Sequence, residues 1–371
     1  MRYSTIKIGL MIGLIHILST SSFCAKTSIP SIQSFSVEGC TTCKADTTEV
    51  PDEKNIECVK QFERLKYLAS IVSESSSVAE ERMKVEAKIS VGLAYYNGSF
   101  SYNGNTISIP QDWWKASSYL NTVADINHYE PGYLICGLMY GAGGSGIKKD
   151  NKIAIKHYQK FINLYDHYDD HLLDLAYGRL ARCYKEEGDT LMFTRILKEG
   201  YEKGFISVCY DLGDCYASGI GMTQSYADAF KAFQKGLNGS NEEEVLLCKF
   251  RLALLYGNGK GCDKDLVKYK ALLEEVAQKG AMRLIAKYIL AKDEYNQANY
   301  TKAFAYCNDI YNSKSENWED VRGAVCTMLA KMYQFGRGVE ANQAEAERWW
   351  KEAAECGDTD ATKVQKWLHS N

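Results

Sequence analysis

Proline is nearly missing from this sequence, with 4 among 371 residues. Because proline interrupts helices, its scarcity leaves continuous helical structure open over most of the length. Net charge is almost absent as well, −3 from 44 basic and 47 acidic residues that are intermixed. That balance offers no basic stripe for nucleic acid and no polybasic segment for an anionic membrane. Beyond the N-terminus no long apolar run occurs, so no transmembrane segment is expected in the mature chain. Histidine is sparse, at 6 residues. The glycine turns lack the Lys-Ser/Thr that completes a phosphate loop, and no Cys-His pair has a local catalytic signature. No catalytic residue and no cofactor is therefore expected.

What the sequence does contain is repetition. A small residue stands three positions before a tyrosine, and a glycine-bearing turn follows: Gly92 and Tyr95 with Gly98, Gly137 and Tyr140 with Gly143 and Gly146, Gly213 and Tyr216 with Gly219 and Gly221. Ala253 and Tyr256 precede Gly257, Gly259 and Gly261, and Ala330 and Tyr333 precede Gly336 and Gly338. Ala181 and Tyr184 with Gly188 form a degenerate copy. A three-residue offset sets the small residue and the tyrosine on one helix face. The small residue admits a neighbouring helix, the tyrosine fills the groove beside it, and the glycines reverse the chain. A second helix follows each elbow. In the last unit Ala346, Trp349, Trp350, Ala353 and Ala354 form an amphipathic stripe, and Gly357 sits where a C-cap glycine belongs. Such recurrence predicts an all-α fold, an α/α superhelical solenoid of helix-turn-helix units.

These motifs resemble the Sel1-like repeat, a relative of the tetratricopeptide repeat. The resemblance spans roughly residues 85–361 and is strongest in the last unit. Around Tyr184, and from Ala281 to Tyr311, the Gly-x-Gly elbow is missing and plain tetratricopeptide-type helix pairs are expected. In the first unit residues 99–110 insert a polar loop, and such insertions often mark the binding face of a solenoid. The resemblance implies an adaptor that binds other proteins without catalysis. It also admits an alternative, a secreted hydrolase acting on β-lactam or cell-wall-related substrates. That chemistry needs a nucleophile, a base and an oxyanion site held together, and no triad is written here.

Arg2 and Lys7 precede an apolar run over residues 8–18, followed by small and polar residues. That order matches a secretory signal, so residues 1–24 are expected to be removed and the protein secreted or periplasmic. Lipid anchoring at Cys24 is disfavoured by the bulky Phe23 before it. Residues 25–57 form a polar cysteine-containing segment, and residues 58–371 an array of about six or seven units.

The 13 cysteines, in an exported chain, point first to disulfides. Cys40, Cys43 and Cys58 suit a local staple better than a redox or zinc motif. Cys183, Cys209, Cys215, Cys326 and, beyond the last helix, Cys356 are candidates for staples between helices. The pairing seen in cysteine-rich relatives does not carry over, because the position eight residues before Cys209 is Tyr201. For Cys136 and Cys248, free and bridged states are equally open. His167, His171, Asp170 and Asp174 are weak candidates for a divalent metal, set against a plain acidic helix start. Tyr102 and Tyr129 are expected to be exposed.

Overall fold

A computed structural model describes residues 56–71, 77–127, 129–165, 170–313 and 319–357 of the protein. The expected signal segment, Cys24, Cys40, Cys43 and His167 lie outside the described residues. Fifteen helices and one hairpin are described. The described residues fall into two compact units, which divide between Gly200 and Tyr201.

The first unit holds α1 (Ile56–Ser70), α2 (Val78–Asn97), a hairpin of β1 (Ser99–Tyr102) and β2 (Asn105–Ser108), α3 (Trp113–Asn127), α4 (Glu130–Ala142), α5 (Asn151–Leu164), α6 (Asp170–Glu186) and most of α7 (Thr190–Glu202). The second holds α8 (Cys209–Ser218), α9 (Tyr226–Gly236), α10 (Glu242–Asn258), α11 (Leu266–Val276), α12 (Arg283–Asn296), α13 (Tyr300–Ser313), α14 (Glu319–Phe335) and α15 (Gln343–Glu355). Within each unit every helix packs on the next. First helices of adjacent pairs also touch: α4 on α6 in the first unit, and α8 on α10 and α12 on α14 in the second. Each unit is thus an α/α solenoid stretch, in which a repeat contacts only its neighbours. No described helix is long and apolar enough to cross a membrane.

The small residue of each repeat is where the second helix comes closest. A Cβ built on Gly213 would lie 2.5 Å from the Phe233 ring, and one on Gly137 2.7 Å from the Tyr158 ring. Ala253 and Ala330 are fully buried at the matching positions. The stripe of the last unit is buried too, with Ala346 and Ala353 inaccessible and Trp349 and Trp350 nearly so.

A backbone hydrogen bond that the sequence does not announce closes each elbow. The first N–H of the second helix's cap region donates to the carbonyl of the repeat tyrosine: Asp150 to Tyr140 at 2.8 Å, Ser225 to Tyr216 at 2.9 Å, Asp265 to Tyr256 at 3.0 Å, Asn342 to Tyr333 at 2.9 Å. Asp112 to Tyr95 and Asp189 to Tyr184, both at 3.0 Å, do the same across the insertion and in the degenerate copy. The side chains of Asp150, Ser225, Asp265 and Asn342 then accept from the first-turn N–H groups as N-caps. One residue therefore ends the turn and starts the helix. The second elbow glycine interlocks neighbouring pairs. With φ at +74°, Gly338 sits so close to the start of α13 that a Cβ would lie 2.3 Å from the Tyr300 carbonyl oxygen.

Two expectations are corrected by the fold. The insertion at residues 99–110 is not an irregular loop. It is an antiparallel hairpin in which Phe100 pairs with Ile107, both buried against α1. Asn103 and Gly104 both adopt positive φ, 49° and 79°, which suits the twist of a two-residue hairpin turn. Tyr129, expected at the surface, is 5% exposed because it begins α4 and packs beside Gly132.

The expected disulfides are also corrected among the described residues. Cys58, Cys183, Cys209, Cys215, Cys326 and Cys356 form no disulfide there, nor do Cys136 and Cys248. All but the half-buried Cys356 are buried and serve as small core residues. Cys248 fills the space left by Gly236, where a Cβ would meet its sulfur at 2.6 Å and the Cys209 Cβ at 3.4 Å. Cys58 points under the hairpin and donates to the Phe100 carbonyl at 3.5 Å.

Candidate protein-interaction surface

Titratable groups that catalysis would need are mostly spent on packing. Burial pushes the thiols of Cys248, Cys307 and Cys326 up to about 12 and that of Cys183 to about 11, so the nucleophilic thiolate is scarce at neutral pH. His157 is stacked on Tyr140 at 5.8 Å, and burial holds its imidazole down at about 4. Beside it the Asp125 carboxylate accepts from Tyr133 Oη at 2.6 Å and from Lys160 Nζ at 3.0 Å, which lowers its pKa. These groups pin α3 and α5 to α4.

The proposed metal cluster does not assemble among the described residues. Asp170 and His171 are exposed in the first turn of α6, Asp174 is half-buried, and no group of three such side chains is placed to hold an ion. An acidic residue at that helix start interacts favourably with the helix dipole. Contrary to the expectation that no Ser-x-x-Lys motif occurs, Ser145 and Lys148 stand at that spacing. Ser145 lies in the elbow after α4, not on a helix, and its hydroxyl donates to Gln111 Oε1 at 2.7 Å.

The elbow that carries Ser145 also frames a concave surface. A cleft of about 370 Å³ is lined by Trp114, Tyr140, Ile147, Lys149, Asp150 and Ile153, with Gly146 and Lys148. Trp114 is 64% exposed, whereas its neighbour Trp113 packs on Tyr96 at 5.8 Å and donates from Nε1 to the Tyr96 carbonyl at 3.1 Å. The elbow is held by a bridge between Gly144 and Ile147, and by the Trp113 N–H donating to the Ser145 carbonyl at 2.8 Å. Asp150 is engaged as the N-cap of α5, and Lys149 pairs with Glu186 at 2.7 Å. Both tryptophans begin α3, and that only Trp114 of the pair is exposed follows from how the helix is turned.

Residues 133–166, 206–239, 247–272 and 324–358 match the family model of the Sel1 repeat. This chain is a Sel1-repeat protein. Its four matched repeats are the units around Tyr140, Tyr216, Tyr256 and Tyr333. Solved structures share the fold. One is a protective antigen present in uropathogenic Escherichia coli strains that displays an SLR fold, at 21% identity and a TM-score of 0.60, covering 86% of this chain and 68% of that one. Another is a Sel1 repeat protein from Oxalobacter formigenes, at 18% identity and a TM-score of 0.52, covering 90% of this chain and 98% of that one. At these identities the likeness concerns the fold. No curated protein matches the sequence. Sel1 repeats generally serve as helical scaffolds for protein interaction, and in this one the Gly, Ala, Tyr and Trp positions shared between repeats are spent on helix packing. What the repeats do not share is the hairpin and the exposed Trp114.

Proposed function

We propose that this Sel1-repeat protein is an exported, non-catalytic adaptor that holds other proteins on its repeat surface. The observation that carries the reading is the cleft at Trp114, where a large aromatic stands 64% exposed beside Tyr140 and Ile147. Tryptophan, with tyrosine and arginine, is enriched among the residues that anchor protein interfaces. The order of Arg2, Lys7 and the apolar run over residues 8–18 supports export.

Affinity capture on the full chain, with crosslinking and mass spectrometry, tests the adaptor role. A stoichiometric protein partner is the expected result. A β-lactam reporter assay run beside it gives the refuting outcome, namely turnover that disappears in Ser145→Ala. N-terminal sequencing of the accumulated protein tests export: a chain starting near Ala25 is expected, and one retaining Met1 in the cytosol refutes that part.

A further inference from the structure

We propose that the cleft at Trp114 is a docking site for an acidic peptide segment of a partner protein, with an apolar side chain seated against Trp114 and carboxylates on Lys148 and the lysines of α5. The inference rests on the adaptor reading and names the chemistry that this part of the surface takes.

Three observations converge on it. The first is shape. Ile147 is 7% exposed and closes the cleft beside Tyr140 and Ile153, while the Trp114 ring stands open to solvent as one wall. A concavity with an apolar lining and a few polar groups at its rim suits one inserted side chain and its flanking backbone. The second is rigidity. Asp150 donates to the Tyr140 carbonyl, Gly144 and Ile147 bridge, and Ser145 is tied to both Trp113 and Gln111, so little ordering remains for binding to oppose.

The third is charge, and it selects the occupant. The whole chain is acidic by 3 charges, yet residues 148–156 carry Lys148, Lys149, Lys152 and Lys156 against Asp150 alone. Asp150 is already committed to the N–H of Ile153, and Lys149 to Glu186. Lys148 forms no ion pair among the described residues, and Lys152 and Lys156 are exposed one turn apart on α5. Arg182, exposed on α6, adds positive charge within electrostatic reach of Glu186. A local positive field on an acidic protein attracts an acidic partner and repels a basic one. The apolar wall formed by Trp114, Tyr140 and Ile147 beside the charge favours a peptide with one apolar side chain over a lipid headgroup alone.

The test uses the full chain and a panel of short labelled peptides rich in Glu and Asp, each with one Leu, Phe or Tyr, read by fluorescence anisotropy. Binding is expected, weakening as salt is raised. Trp114→Ala should weaken it about thirtyfold or more, the scale of an interface anchor. Lys148→Glu should weaken it about tenfold. Lys351→Glu, exposed on α15 of the other unit, should change nothing. All three variants alter exposed side chains, and circular dichroism confirms that each is folded; Trp114→Phe, which keeps an aromatic wall, should recover much of the affinity.

The proposal is overturned if no acidic peptide binds, or if Trp114→Ala and Lys148→Glu bind as well as the parent. It is also overturned if phosphatidylserine vesicles bind where the peptides do not, or if Trp114→Ala converts a dimer of this chain to monomer. Capture of one stoichiometric partner by the parent and by Trp114→Ala alike sinks this site and leaves the adaptor reading standing. Turnover in the β-lactam assay sinks the adaptor reading itself.

Discussion

Replacing Gly338 by alanine should weaken the second unit far more than replacing Gly336, although both glycines belong to one elbow. Their backbones are nearly equivalent, with φ of +74° and +63°. An L-residue in the left-handed region costs about 1–2 kcal/mol, and that cost is common to both. Their surroundings differ. A Cβ on Gly336 would meet the Ala341 Cβ at 3.4 Å, an ordinary contact, whereas one on Gly338 would lie 2.3 Å from the Tyr300 carbonyl oxygen and 2.4 Å from its carbon. Backbone atoms at the start of α13 have no rotamer to change, so the helix itself must shift. Overpacking of this kind adds about 1–3 kcal/mol. The Gly338→Ala variant is therefore expected to lose about 2–5 kcal/mol in all, and Gly336→Ala only the backbone part. Urea denaturation gives the size of the loss. Hydrogen exchange gives its place: protection should fall across α12 to α15 while the helices of the first unit keep theirs, because repeats contact only their neighbours. If the two variants are equally stable within about 0.5 kcal/mol, the elbow does not lock onto the preceding pair and the reasoning fails.

Peptide-resolved alkylation of the folded protein should modify Cys262 and Cys356, which are half-buried, well before Cys136, Cys209, Cys248, Cys307 or Cys326; equal rates would contradict the core role of these thiols. Stability should fall as pH drops from 6.5 towards about 4, because the unfolded chain protonates His157 first while burial, with Lys160 nearby, keeps the folded imidazole neutral. A His157→Gln variant should flatten that part of the curve, and an unchanged slope would refute it. Asp150→Ala should cost about 1 kcal/mol of stability, since the side-chain cap on Ile153 goes while the backbone bond to Tyr140 stays. Deleting the hairpin should loosen α1, because Phe100 packs on Phe62 at 5.1 Å, so a test of its part in binding should alter Asn103 at the turn instead.

The last unit shows how much of the site was legible. Helical spacing alone put Ala346, Trp349, Trp350 and Ala353 on one face, and all four are buried. The Asn103-Gly104 turn between alternating apolar residues is a hairpin signal, and it was read as an irregular loop because the surrounding repeat is helical. Tyr129 was misplaced because its position off the repeat stripe says nothing of its being the N-cap residue of α4. The cysteines were misread because recurrence at fixed offsets describes core packing as well as it describes bridges; only the neighbouring glycines tell the two apart. Trp114 carried no sequence mark that separates it from Trp113.

By itself, the sequence determined the period, the helix pairs and the turns between them. Those depend on short-range chemistry: 3.6-residue spacing, glycine at left-handed backbone positions, and Asp, Ser or Asn as N-caps. Tertiary structure decided which glycine presses on a neighbour's carbonyl, which thiols fill cavities, and which tryptophan faces water. Each of those depends on the distance between residues far apart in the chain, and a Cβ that is harmless at 3.4 Å beside Gly336 is intolerable at 2.3 Å beside Gly338.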